Sequence, residues 1–333
     1  MKRCLVFAAV MVFGAGIAFP QNETHNQFLN GSIFQDATEQ SGFFYNGHGK
    51  CTAMVDFDMD GNLDIYISVV YGRNKLFHNE GKLRFRDVTE SYGVGCPYDT
   101  HGIAVADFNN DGYLDMFVAN NLEALSEKRG QLLQSNFFYI GGDEGFVESA
   151  VPSHVDGGQY NYSCGVTTAD VNGDGLLDIY VSKGGYRSGP TCANSLFINN
   201  GDGTFRDAAQ GAGVADEGNG YCCSFCDYDN DGLPDLYVGN LNDKDNLSTR
   251  HLFHNDGNLH FTDVTKKLGM QANGYNVTCL WLDIDNDGFQ DLFLANSSGS
   301  GAAADPKYGA NTNTVHLSKI LTEKVSIPYR NDV

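Results

Sequence analysis

Five times along the chain a short hydrophobic run follows directly on an aspartate. The runs are Ile65-Tyr66-Ile67-Ser68-Val69-Val70 after Asp64, Met116-Phe117-Val118 after Asp115, Ile179-Tyr180-Val181 after Asp178, Leu236-Tyr237-Val238 after Asp235 and Leu292-Phe293-Leu294 after Asp291. Their β-branched and aromatic content predicts strands. Two further strand-like signals recur in phase with them. One is N-x-L-F-x-N, at Asn74 to Asn79 and Asn194 to Asn199, with variants from Asn136 and from His251. The other is F-x-D-x-T or a relative, at Phe34 to Thr38, Phe85 to Thr89, Phe146 to Ala150, Phe205 to Ala209 and Phe261 to Thr265. Gly-rich stretches such as Asn200-Gly201-Asp202-Gly203 and Asn255-Asp256-Gly257 read as hairpin turns between them. Each unit is therefore strand, acidic loop, strand, N-x-L-F strand, turn and F-x-D strand.

The first aspartates of the five acidic loops are spaced by 51, 63, 57 and 56 residues. That is the length of a four-stranded propeller blade with a generous loop, not of a solenoid turn. The F-x-D element at Phe34 precedes the first loop, while the last unit offers only a third strand, Asn313 to Leu317, and no F-x-D of its own. An N-terminal strand that completes the last blade closes a ring without a free sheet edge. The expected fold is all-β, a five-bladed β-propeller of four-stranded blades with five acidic-loop repeats. Six or seven blades, or completion by another subunit, are the alternatives.

Between the first two strands of each unit lies D-x-[DN]-x-D-G-x-x-D. Carboxylates forced within about 4 Å repel by roughly 4 kcal/mol per pair at an effective dielectric near 20, so so dense a cluster calls for a multivalent cation. The spacing fits the first nine positions of an EF-hand loop, but position twelve is aliphatic in every copy (Ile67, Val118, Val181, Val238, Leu294) where an EF-hand needs glutamate. The loops are therefore expected in β-hairpins. Positions one, three, five and nine supply side-chain oxygens, position seven its carbonyl, and Gly at six the turn. The ligand sets are Asp56, Asp58, Asp60, Asn62, Asp64; Asp107, Asn109, Asp111, Tyr113, Asp115; Asp170, Asn172, Asp174, Leu176, Asp178; Asp227, Asp229, Asp231, Leu233, Asp235; and Asp283, Asp285, Asp287, Phe289, Asp291. Asn109 and Asn172 place a neutral oxygen where the other loops have a carboxylate, which weakens sites two and three. About five Ca²⁺ are expected.

These in-phase loops and their F-x-D-x-T partners, from roughly Ser32 to Asn296, resemble FG-GAP/VCBS-type repeats, as in integrin α-subunit propellers and the cartilage acidic protein group. The resemblance implies calcium bound in β-hairpin loops and a role in extracellular adhesion or matrix contacts. Propellers of that kind commonly have seven blades, more than the five repeats here.

The N-terminus fits an extracellular address. Met1-Lys2-Arg3, an apolar run from Leu5 to Ile17 and small residues at Gly16 and Ala18 form a secretory signal over 1–18, too short to span a bilayer. A leader over 19–31, the propeller over 32–318 and a tail over 319–333 complete the expected organisation. No later run reaches the length of a membrane span. Sequons stand at Asn22, Asn30, Asn161, Asn246, Asn276 and Asn296, with Asn276 close to a strand. Removing the signal leaves eight of nine cysteines, an even number that suits disulfides, although eight allow 105 pairings. A zinc site at Cys222-Cys223-Ser224-Phe225-Cys226 lacks a matching histidine spacing.

The formal net charge of −21 is local in origin, because the five loops hold 18 of the 42 acidic residues. Bound cations offset much of it without any cationic partner. No basic patch points to nucleic acid. His78 and His254 share one repeat slot and read, with Trp281, as blade packing, and His48 and His101 as residues near the ring surface. No nucleophile elbow, H-E-x-x-H or phosphate loop occurs, so the chain is expected not to be an enzyme. The leading function is a secreted calcium-stabilised module that holds an extracellular protein or glycan through variable loops such as Gly184 to Thr191 and Leu122 to Gln131. The alternatives are a calcium-dependent glycan-active enzyme resembling propeller polysaccharide lyases, and a structural matrix component that oligomerises through its C-terminal tail.

Overall fold

The structure is a computed structural model that describes residues 36–43, 45, 47–70, 72–121, 135–158, 162–184, 192–241, 250–270, 275–297 and 314–318. The recurring hydrophobic runs form the second strand of five antiparallel sheets. The first sheet is β1 (His48–Val55), β2 (Asp64–Val70), β3 (Lys75–Asn79) and β4 (Phe85–Asp87), paired in that order. The second repeats the order with β5 (Thr100–Ala106), β6 (Asp115–Asn120), β7 (Phe137–Gly142) and β8 (Gly145–Glu148). The third has β9 (Ser163–Ala169), β10 (Asp178–Lys183), β11 (Ser195–Asn199) and β12 (Phe205–Asp207), and the fourth β13 (Gly220–Cys226), β14 (Asp235–Asn240), β15 (His251–Asn255) and β16 (Phe261–Asp263). The fifth has three described strands, β17 (Tyr275–Leu282), β18 (Asp291–Ser297) and β19 (Thr314–Ser318). The last of these lies where the sequence placed a third strand. The expected N-terminal strand at Phe34 lies outside the described residues.

Strands β6, β10 and β14 are buried along their whole length. Both their faces are covered because the sheets stack face against face, so these strands read as unbroken hydrophobic runs instead of alternating ones. Four core clusters each draw on two consecutive sheets. Tyr66 and Leu76 pack with Ile103, Met116 and Tyr139; Phe108, Phe117 and Phe138 with Ile179, Phe197 and Phe205; Tyr180 and Ile198 with Leu236, Phe253 and Phe261; and Tyr237 and Leu252 with Leu292 and Leu294. The first strands stand side by side in sequence, β1 by β5, β5 by β9, β9 by β13 and β13 by β17.

A register shift interrupts each first strand about six residues before its loop. At that step stand Lys50, His101, Cys164 and Tyr221. Lys50 Nζ is 2.7 Å from the buried His101 ring and 5.5 Å from the centre of the Tyr221 ring, and Cys164 Sγ is 3.7 Å from His101. The first and fourth sheets thus meet through these side chains, which shows that the row of sheets curves around a common centre.

The F-x-D-x-T signature ends the fourth strand and starts a turn. The Asp87 carboxylate accepts the Thr89 backbone N–H at 3.0 Å, and Asp263 does the same for Thr265 at 2.9 Å. The threonine hydroxyl in turn accepts the N–H of Leu76 or Leu252 on the third strand. One helical turn follows in three copies, α1 (Thr38–Ser41), α2 (Thr89–Tyr92) and α3 (Ala209–Ala212), each stopped by a glycine with positive φ: Gly42, Gly93 and Gly213. Among the described residues no helix is long and apolar enough to cross a membrane.

Candidate metal centres in the acidic loops

Each acidic loop occupies the hairpin between the first and second strands of its sheet, as the sequence implied. The tight path needs a left-handed residue at position four, namely Met59, Asn110, Gly173, Asn230 and Asn286, and again at the position-six glycines, whose φ is 87° to 96°. The carboxylate at position one closes the turn: its two oxygens accept the N–H of positions five and six, as at Asp56 with Asp60 at 3.0 Å and Gly61 at 2.9 Å, and identically in the other four loops. Position five accepts the N–H of position seven, so Asn62, Tyr113, Leu176, Leu233 and Phe289 are pinned to the loop.

Position nine does more than the ligand pattern suggested. Asp64, Asp115, Asp178, Asp235 and Asp291 begin the second strands and are buried. One oxygen of each accepts the N–H of loop position two (Phe57, Phe108, Val171, Tyr228, Ile284) at 2.9 to 3.1 Å. In the first four sheets the other accepts an N–H from the third strand (Asn79, Gly141, Asn199, Asn255) at 2.7 to 2.9 Å. The side chain therefore welds loop, second strand and third strand together. Burial nonetheless pushes the carboxyls of Asp115, Asp178 and Asp235 up to about 6, with the neighbouring loop aspartates adding to the effect. Asp64 is raised for the same first reason.

The ligand atoms of Asp56, Asp58 and Asp60, of Asp227, Asp229 and Asp231, and of Asp283, Asp285 and Asp291 lie within 4.8 Å of one another. Asp229 Oδ1 is buried without any hydrogen-bond partner, and burial followed by the charge of Asp231 raises this carboxyl. A hard cation fits such a donor set: it satisfies the orphaned oxygen and removes the repulsion. In loops two and three the amides of Asn109 and Asn172 donate to Asp111 and Asp174 at 2.9 and 2.8 Å. Part of the negative charge there is already compensated within the loop.

Sequence reasoning missed two contributors. His78 Nδ1 lies 3.1 Å from Asp64 and 3.2 Å from Asp58, and His254 Nδ1 lies 3.0 Å from Asp235 and 3.6 Å from Asp229. These histidines face loops one and four, where the equivalent Ile140 and Ile198 face loops two and three; the shared slot in N-x-L-F-x-N was the available signal. The terminal Asn of that motif is the other. Asn199 Nδ2 donates to the Phe108 carbonyl at 2.7 Å and Asn255 Nδ2 to the Val171 carbonyl at 3.1 Å, each reaching the loop of the preceding sheet. Loops four and five touch directly through Asn230 Nδ2 and the Gly288 carbonyl at 3.1 Å.

A profile of FG-GAP-like repeats matches residues 56–118 and 185–238, which take in loops one, two and four. The chain carries FG-GAP-like repeats. Three curated relatives align with about half of the chain. Cartilage acidic protein 1 of Xenopus tropicalis is 31% identical over 195 residues, covering 55% of this chain and 29% of the relative. The Mus musculus protein is 29% identical over 204 residues (57% and 30%) and the Homo sapiens protein 30% identical over 185 (53% and 27%). The chain spans less than a third of the length of these relatives. A solved structure, the V. cholerae biofilm matrix protein Bap1, aligns with 80% of this chain and 36% of its own at 14% identity and a TM-score of 0.44.

The remaining expected features divide by position. The eight described cysteines, Cys51 to Cys279, stand as free thiols. The Asn276 side chain is buried, bonded to the Asn240 carbonyl and the Tyr237 hydroxyl, and so is closed to a glycan once the repeats have folded. His101 is buried beside Lys50 instead of facing the ring surface. The signal, the sequons at Asn22, Asn30, Asn161 and Asn246, nearly all of both variable loops and the 319–333 tail lie outside the described residues.

Proposed function

We propose that the chain is a secreted β-propeller, stabilised by calcium in its five acidic loops, that acts as an extracellular adhesion, matrix or ligand-binding module for a protein or glycan. The observation that carries this reading is the convergence of uncompensated carboxylates in hairpins that already brace their sheets, so that an ion and the fold support each other. The relatives' name, cartilage acidic protein, agrees with a matrix address. Calcium would be held by the side chains at positions one, three, five and nine and by the carbonyl at position seven, and would supply charge neutralisation and rigidity. His78 and His254 add a nitrogen donor beside two of these sites.

Ring closure by the N-terminal segment belongs to the same proposal. A methyl placed on Gly42 would lie 3.3 Å from the Phe85 carbonyl, just as one on Gly213 would lie 3.1 Å from the Phe261 carbonyl. The turn α3 follows the last strand of the third sheet and packs on the fourth; α1 packs in the same way on the first sheet. This likeness supports the proposal that the N-terminal element at Phe34, which lies outside the described residues, serves as the fourth strand of the fifth sheet.

We read the module as a binder and not a catalyst. Titration calorimetry of the chelated full chain with calcium, followed by binding to immobilised matrix proteins and a glycan panel with and without the ion, tests both parts. Heat of binding near five sites and calcium-dependent capture are expected. Absence of calcium uptake would overturn the proposal, and turnover of a glycan would replace binding by catalysis.

A further inference from the structure

The first strands of neighbouring sheets approach most closely at one repeated position. Gly102, Gly165 and Cys222 each stand five residues before the first aspartate of their loop, and Val166 and Cys279 each stand four before theirs. Between the second and third sheets, a methyl placed on Gly102 would fall 2.8 Å from Val166 Cγ2 and 2.4 Å from the Cys164 carbonyl. Between the third and fourth, one on Gly165 would fall 3.0 Å from Cys222 Cα. Only the smallest residue fits these two junctions. At the junction of the fourth and fifth sheets the positions equivalent to Gly102 and Val166 hold Cys222 and Cys279.

The local contacts agree with the repeat equivalence. Cys222 Sγ lies 3.9 Å from the Asn276 carbonyl on β17, and both thiols sit in the cluster of Tyr237, Leu252 and Leu292. Other cysteines meet oxygen or nitrogen: Cys51 the Ser68 hydroxyl at 3.0 Å, Cys164 the Asn121 amide at 2.9 Å.

We propose that Cys222 and Cys279 form a disulfide that staples the first strand of the fourth sheet to the first strand of the fifth. The oxidant is a low-molecular-weight disulfide such as glutathione disulfide. One protein thiolate attacks a sulfur of the reagent and expels one glutathione thiolate, leaving a mixed disulfide. The second protein thiolate then displaces the other glutathione, so the protein gives up two protons and two electrons and the reagent leaves as two thiols. The neighbouring Cys222 thiol and burial both hold the Cys279 thiol well above its ordinary value. The bond therefore closes while the two sheets are still opening and shutting against each other, before packing shields the pair.

The staple joins positions 57 residues apart and fixes the sheet that has three described strands. Its test is independent of where the chain resides. The full chain is refolded in a glutathione redox buffer, alkylated in denaturant without reductant, digested and sequenced by mass spectrometry. A peptide joining Cys222 to Cys279 is expected; alkyl label on both thiols, or Cys222 joined to another cysteine, overturns the proposal. Cys279→Ser should lower the melting temperature by about 10 °C in the oxidised protein and leave it nearly unchanged in dithiothreitol, since a cross-link of this span acts mainly on the unfolded chain. An equal fall in both buffers assigns the residue to packing and refutes the staple, and should the variant fail to fold, the peptide map of the parent chain decides alone.

Discussion

In chelator, acidification should stabilise this protein, the reverse of what so acidic a chain suggests. Asp115, Asp178 and Asp235 have an ordinary value of 3.8 and are pushed up to about 6 by burial. A carboxyl whose folded value lies above its unfolded value binds protons more tightly when folded, so stability rises as pH falls through 6 and stops rising below 3.8. For one such group the gain between pH 7 and pH 5 is about 1.3 kcal/mol, and for three independent groups about 4 kcal/mol. In a chain of this size that corresponds to roughly 10 °C in melting temperature. Carboxylates held low by hydrogen bonds, such as Asp60 by the Asn62 N–H and Asp36 by the Thr38 N–H, oppose this only when pH falls below 3.8. Under the proposed calcium binding, the ion would stand in for the proton in millimolar calcium. Stabilisation there is about 1.4 kcal/mol per site at ten times the dissociation constant, and it falls as protons displace the ion. The assay is differential scanning fluorimetry of one preparation at pH 5, 6 and 7, in chelator and in calcium. A melting temperature in chelator that stays level or drops towards pH 5 would refute the reasoning, because the buried carboxylates would then be compensated by something other than a cation or a proton.

Three further outcomes separate the roles within a loop. Asp178→Ala strands the N–H groups of Val171 and Asn199 and should cost about 2–4 kcal/mol in urea unfolding even in chelator, whereas Asp60→Ala, which removes only exposed bonds from Asn62, should lower the melting temperature mainly when calcium is present. Asn199→Ala removes a bond to the loop of the preceding sheet and should cost about 1–2 kcal/mol, more than Asn79→Ala, whose amide bonds the Leu63 carbonyl of its own sheet. Met59 sits at φ 60° and is exposed, so Met59→Gly should raise stability by about 1 kcal/mol in thermal unfolding by relieving a left-handed residue with a side chain.

The strands and loops were legible because their signals are local. A glycine at position six is demanded by a φ near 90°, the F-x-D-x-T pattern by a carboxylate that caps the following turn, and the unbroken runs after position nine by burial on both faces. What escaped was whatever depends on distance through space. Asp178 looks like any ligand until Asn199, 21 residues on, is seen donating to it. His78 and His254 look like packing until the third strand is folded back onto the loop. Cys222 and Cys279 carry no pairing signal of their own, since only the side-by-side first strands bring them to one junction. The convergence of Lys50, His101, Cys164 and Tyr221 likewise appears only when four sheets curve around a shared centre.

The asparagine links to Phe108 and Val171 all run backwards, from a later sheet to an earlier loop. At these two junctions the row of repeats is consequently polar, like tiles in which one course pins the lower edge of the one laid before it. Removing the third or the fourth sheet would free the hairpin of its predecessor, while removing the first would leave loops two and three pinned. A repeat appended at the C-terminal end would steady existing structure from its first appearance.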